Sequence, residues 1–176
     1  MKRQSFAADI ADLDFSMLVP DGFVQPPIPA GITDSVNLDS PTESLPLALV
    51  ASPVAAAFVT VAARPAYADG TVEQWLGYLA EHFGIALGEV QVARIGDAHD
   101  GIAAQGHQVQ DGTPMILFLV AFEDGGRLVT GHGLAPAVLW PSFGEQLVRS
   151  VLSIRLDRPR GGSGHVRATA TTGPLA

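Results

Sequence analysis

At 176 residues, 47% hydrophobic and 16% charged, the chain is long enough to bury a core and too apolar for disorder. It contains no cysteine, which excludes disulfides, thiolate metal sites and a cysteine nucleophile. The net charge is −8, with 17 acids against 7 Lys and Arg in residues 1–155 and one against three in 156–176, so the body lacks the basic stripe that nucleic acid or an anionic membrane needs.

The N-terminal MKRQSFAADIADLDF follows its two basic residues with Asp9, Asp12 and Asp14 rather than an apolar run, and no signal peptide is read there. Leu13–Phe23 alternates Leu13, Phe15, Met17 and Val19 against Asp14, Ser16 and Leu18, which predicts a half-buried strand ended by the Pro20-Asp21-Gly22 turn. The prolines of VQPPIPAGITDS allow only loop or edge structure. Leu45–Ala63 has the length and apolarity of a membrane span, but Ser52-Pro53 punctuates its centre and its second half alternates with β-branched residues. Two strands joined at that turn are therefore expected, in a soluble, cytoplasmic protein.

Thr71-x-x-Gln74 is a capping box and opens a helix whose stripe is Val72, Trp75, Leu76, Leu79 and Phe83, with Gly84 at the stop and His82 near the negative end of the dipole. From Gln91 the period returns to two. QVARI, GIAAQGHQVQ, MILFLVAF and RLVTGHGL read as four strands, the last three separated by Asp111-Gly112 and Glu123-Asp124-Gly125-Gly126. Met115–Phe122 is continuously apolar, so both of its faces must be hidden, which requires a layer above and a layer below. The second layer is the helix PSFGEQLVRSVLSI, with Phe143, Leu147, Val151 and Ile154 on one stripe and Pro141 at its start. The expected class is α+β: an α/β/α sandwich with a central, mainly antiparallel sheet and helices on both faces. One domain spans 1–156, and 157–176 is a Gly/Arg/Thr-rich tail in which HVRATAT could add a strand.

The early VPDGF turn, the DGTVEQWLGYLAEHF helix, the GIAAQGHQV…MILFLVAFEDGGRLVTG meander and the closing FGEQLVRSVLSI together resemble the PsbP/Mog-like domain family, which includes bacterial DcrB-like proteins. The resemblance covers about residues 12–156. It departs at Phe23, where many relatives carry tryptophan, and at Ile154, where an aromatic usually follows Leu152-Ser153. It implies a non-catalytic binding module: plant members serve photosystem II, a eukaryotic one binds a small GTPase, and some bacterial ones are chaperones for type VI secretion effectors. It carries over no set of functional residues.

Read from the residues themselves, His99 and His107 with Asp97, Asp100 and Asp111 form the one grouping that suggests a metal site, since imidazole and carboxylate suit zinc or iron. The histidines stand eight residues apart with Asp100-Gly101 between them, a spacing that fits neither a helical nor a strand ligand pair. Turn ends and a solvent-facing sheet rim account for them better. Glu123-Asp124 is expected in a hairpin turn. His132 lies between two glycines in TGHGL, which marks a packing contact, a bulge or a ligand approach. No dinucleotide fingerprint, P-loop or nucleophile elbow is present, and Lys2 is the only lysine.

The expected function is a non-catalytic bacterial protein-binding module, chaperone-like or secretion-accessory. Its partner would be another protein, such as a secretion effector or a second copy in a homodimer, without nucleic acid, membrane, metal or cofactor. Trp140, Leu47, Leu49 and His132 are the candidate partner-binding residues, because LPLALV and LAPAVLWP are apolar, proline-punctuated stretches. Two alternatives make different demands. A metal-assisted hydrolase needs His99, His107 and the aspartates to converge; a carrier of a small apolar ligand needs a cavity lined by Met115–Phe122.

Overall fold

The computed structural model describes residues 1–7, 13–27, 36–40, 43–66 and 70–157. Their elements are β1 (Lys2–Phe6), β2 (Phe15–Val19), β3 (Leu45–Ala51), β4 (Phe58–Pro65), α1 (Val72–His82), β5 (Ala86–Leu87), β6 (Gln91–Ile95), β7 (His99–Gln110), β8 (Thr113–Asp124), β9 (Arg127–Pro136), α2 (Trp140–Leu152) and β10 (Arg155–Leu156). The strands make two sheets, and every pairing between them is antiparallel. The class is α+β. A seven-stranded sheet runs β3-β4-β9-β8-β7, with β5 and β6 sharing the outer edge of β7, and a three-stranded sheet runs β1-β2-β10.

The meander forms because its turns carry the required chemistry. Asp111 and Gly112 have φ of 49° and 78°, and Gly125 and Gly126 have 57° and 81°. Two successive positive φ values give the tight turn whose twist matches the flanking strands. Those turns set the registers of β7 on β8 and β8 on β9 and leave β8 in the middle of the sheet. Its side chains then divide by alternation. Met115, Leu117, Leu119 and Ala121 join a cluster with Trp75, Leu76 and Leu79 of α1. Val120 and Phe122 join a second cluster with Leu147 and Val151 of α2 and with Phe15 and Met17 of β2. Phe118 packs partly buried against that second cluster, and only Ile116 joins neither, so both faces of the strand need apolar residues.

Helix α1 begins as its capping box dictates, with Thr71 Oγ1 accepting from the Gln74 amide at 3.2 Å and the Gln74 side chain accepting from the Thr71 amide at 2.9 Å. Phe83 leaves the expected stripe: it is the C-cap and stands 55% exposed, because the backbone turns away there before Gly84 at φ 62°. Helix α2 is anchored to β2 by two serines. Ser150 Oγ donates to the Leu18 carbonyl at 2.6 Å, and Ser153 Oγ accepts from the Leu18 amide at 2.7 Å while donating to the Ser150 carbonyl at 2.7 Å.

Three features differ from expectation. The early strand does not join the central sheet; β2 pairs with β1 and β10 in a sheet of its own, which helps cover the side where α2 lies. The short β5 and β10 were not anticipated, nor was β1, whose Phe6 ring stacks on Phe15 at 5.0 Å. Asp157, which the composition assigns to the tail, hydrogen-bonds through its amide to the Asp14 carbonyl at 2.8 Å. Residues 158–176, with the HVRATAT stretch, and most of the proline-rich loop lie outside the described residues. The apolar 45–63 segment is two strands, β3 and β4, and among the described residues no helix is long and apolar enough to cross a membrane.

Candidate functional site

The site begins with β4, whose alternate residues have different fates. Val59, Val61 and Ala63 are buried in the cluster that includes α2, whereas Phe58, Thr60 and Ala62 on the other face are only partly buried. Register carries that second face across the sheet, since directly opposed residues share a face. One row reads Leu49, Thr60, His132, Leu119, and the next reads Ala51, Phe58, Leu134, Leu117. Helix α1 packs on this face over β8 and β7. Towards β3 and β4 the face stays half-open, with Leu49, Ala51, Phe58, Thr60 and Ala62 all partly exposed. It is closed beyond Ala62 by Arg64, which is buried and donates to the carbonyls of Leu38, Ser40 and Glu43.

Where this strip meets the C-terminal end of α1 there is a hollow of about 200 Å³ lined by Phe58, Phe83, Ile85, Gln108, Gln110, Leu117, His132 and Leu134. Among the described residues no charged side chain lines it. The Nε2 of His132 is buried and has no hydrogen-bond partner among the described residues. Burial pushes the His132 pKa down to about 4, so the ring is neutral at ordinary pH. The glycines flanking it serve the opposite face. A Cβ on Gly133 would stand 2.8 Å from Leu147 Cβ, and one on Gly131 would stand 2.6 Å from Ile154 Cδ1. The two glycines therefore mark where α2 presses on β9, and strand alternation turns His132 away from that contact.

The four candidate partner-binding residues do not form one patch. Leu47 is a core residue, 5% exposed, and presents no contact surface; the irregular register between Pro46 and Ala48 turns it inward. Trp140 packs partly buried against the cluster that includes α2, its indole folded over Gly144. Leu49 and His132 fall in one row, separated only by Thr60.

The histidine and aspartate grouping is dispersed. His99 opens β7 and His107 stands eight residues along it, about 26 Å away at the usual rise per residue. Asp97 pairs with Arg155 at 2.7 Å, Asp100 pairs with Arg94 at 2.6 Å, and Asp111 occupies its turn. Among the described residues no three His, Asp or Glu side chains are placed to hold a metal ion. His99 instead meets Asp124, Nε2 to Oδ1 at 3.2 Å, and Arg127 meets the other carboxylate oxygen at 2.7 Å. Asp124 is thus the last residue of β8 and not part of a turn. Burial pushes its carboxyl up, but hydrogen bonds from Arg127 and His99 and their charges outweigh this and hold it below the usual carboxylate range. Sequence contained the clue: the β7–β8 register pairs Ile102 with Ala121, and three more residues along each strand bring His99 opposite Asp124. The cavity sought along Met115–Phe122 is likewise replaced by core packing, with only Leu117 of that strand reaching the hollow.

No protein-family model and no curated protein matches the sequence. Solved structures do match. The cyanobacterial PsbP, CyanoP, from Synechocystis sp. PCC 6803 aligns with a TM-score of 0.59 over 88% of this chain and 92% of its own, at 14% identity. The chain has a PsbP-like fold. LpqN of Mycobacterium tuberculosis, involved in cell envelope biogenesis, shares that fold with a TM-score of 0.57 over 89% of this chain and 91% of its own, at 9% identity. A Pseudomonas aeruginosa protein of unknown function, described as a putative regulator, aligns with a TM-score of 0.51 over 90% and 99%, at 12% identity. The PsbP-like fold is thus shared over most of the chain at low sequence identity.

Proposed function

We propose that this chain is a non-catalytic accessory module that binds another protein through the half-open strip Leu49–Thr60–His132 and Ala51–Phe58. The observation that carries the reading is the burial pattern of β4, sealed on one face and apolar but half-exposed on the other. The PsbP-like fold shared with CyanoP supports it, as does LpqN, a neighbour described as involved in cell envelope biogenesis. The non-catalytic side is supported by Asp97, Asp100 and Asp124, which are held in ion pairs with Arg155, Arg94 and Arg127. In its narrower form the proposal is a cytoplasmic, chaperone-like or secretion-accessory role with a bacterial effector as partner. The same reading takes the layers as an α/β/α sandwich with α1 and α2 on opposite faces, which the division of the β8 side chains between two clusters supports.

Capture from native lysate by three forms of the chain tests the proposal. Wild type and Val92→Glu, a change at an 86% exposed residue of β6, should retain the same protein, and Leu49→Glu should lose it. Equal capture by all three would overturn it. Concentration-dependent self-association abolished by Leu49→Glu alone would identify the partner as a second copy.

A further inference from the structure

The hollow beside α1 has a chemistry that the protein-binding strip does not need. Phe58, Phe83, Ile85, Leu117 and Leu134 line it beside the amides of Gln108 and Gln110, and among the described residues no charged side chain does. A charged group entering it would leave water without meeting a counter-charge, which is strongly unfavourable. Its volume of about 200 Å³ falls below the roughly 300 Å³ at which pockets begin to hold drug-sized ligands, so the occupant is small. One polar side chain is poised there. Of the two ring nitrogens of His132, Nε2 alone is sealed off without a partner. Buried N–H donors are left unpaired more rarely than acceptors. The tautomer that fits therefore leaves Nε2 bare and puts the proton on Nδ1, at the unsealed edge of the ring.

We infer that the hollow is a binding site for a small neutral molecule with a compact apolar body and one acceptor oxygen, such as an aryl or alkyl ketone, and that His132 Nδ1–H donates to that oxygen. The apolar body fills the space between Phe58, Ile85, Leu117 and Leu134. Such a ligand constitutes a second binding function on the same face, and it is tested on the isolated chain without any protein partner.

Acetophenone serves as the probe, with benzoate as its charged counterpart and ethylbenzene as its counterpart without oxygen. Titrations followed by amide and imidazole nitrogen NMR should show saturable shifts for acetophenone, centred on Phe58, Ile85, His132 and Leu134. Ethylbenzene should bind about two- to tenfold more weakly, the usual range for loss of one hydrogen bond, and benzoate should give no saturable shift. His132→Phe should bring acetophenone down to the ethylbenzene level, and Ile85→Trp, which fills the hollow from its wall, should abolish both. Dispersed, non-saturating shifts would overturn the inference, as would benzoate binding as well as acetophenone. Equal binding of acetophenone and ethylbenzene would overturn the role given to His132. A strip that captures a protein while acetophenone fails to bind separates the failure of this inference from that of the protein-binding reading.

Discussion

His132 shows how one position can carry a signal for something else. Two glycines in a strand signal a close approach, and the approach is real, but it comes from α2 on the far side of β9. The histidine between them was visible as unusual, yet its neighbours Phe58, Ile85 and Leu117 come from three other segments that no local pattern connects. Its burial makes a definite prediction. The folded pKa is about 4 against an ordinary 6.5, so between these values the unfolded chain binds a proton that the folded chain does not. Stability contributed by the neutral ring is complete above about 6.5 and is lost as pH falls towards 4, up to about 3 kcal/mol and less to the extent that the exposed ring edge is solvated. Wild type should therefore weaken relative to His132→Phe on acidification over that window. The imidazole resonance should also stay in its neutral position down to about pH 5. A His132 midpoint at 6 or above would contradict the burial. At the other end of the core, Ser150→Ala removes the donor to the Leu18 carbonyl. It should destabilise the fold by about 1–2 kcal/mol in urea denaturation; no measurable change would mean that the serine anchor does not hold α2 to β2.

At the scale of elements, two glycine substitutions should act in opposite directions. Gly77 is exposed within α1 and a Cβ there meets nothing within 4 Å, so Gly77→Ala should raise stability by roughly 0.5–1 kcal/mol through helix propensity. Gly133→Ala would drive a methyl into Leu147 and its backbone, so α2 must shift, at about 1–3 kcal/mol. Thermal melts of the two variants on either side of wild type would agree with this packing; two shifts of the same sign would not. Elements with strong local chemistry were legible in the sequence, the Thr71 capping box and the Asp111-Gly112 and Gly125-Gly126 turns above all. The two-residue strands β5 and β10 were not, because two residues carry no periodicity. Strand β1 was missed because its long-range pairing with β2, and not its own pattern KRQSF, makes it a strand.

For the molecule as a whole, the continuous apolar run of β8 and the alternation of its neighbours were enough to imply a sheet with a strand hidden on both sides, and the likeness to CyanoP and LpqN extends that over nearly the full chain. What could not be read was how the second layer is shared between α2 and a separate small sheet, since both satisfy the same apolar demand. Nor could sequence show that Leu47 and Leu49, two residues apart, part company: the irregularity between Pro46 and Ala48 sends the first into the core and leaves the second on the open strip. That strip is the basis of the binding account, and a soluble paramagnetic relaxation agent probes it directly. The methyl resonances of Leu49 and Ala62 should broaden strongly while those of Val50, Val59 and Val61 are spared. Protection of Leu49 and Ala62 equal to that of Val50 would mean the face is covered, and would contradict a partner site there.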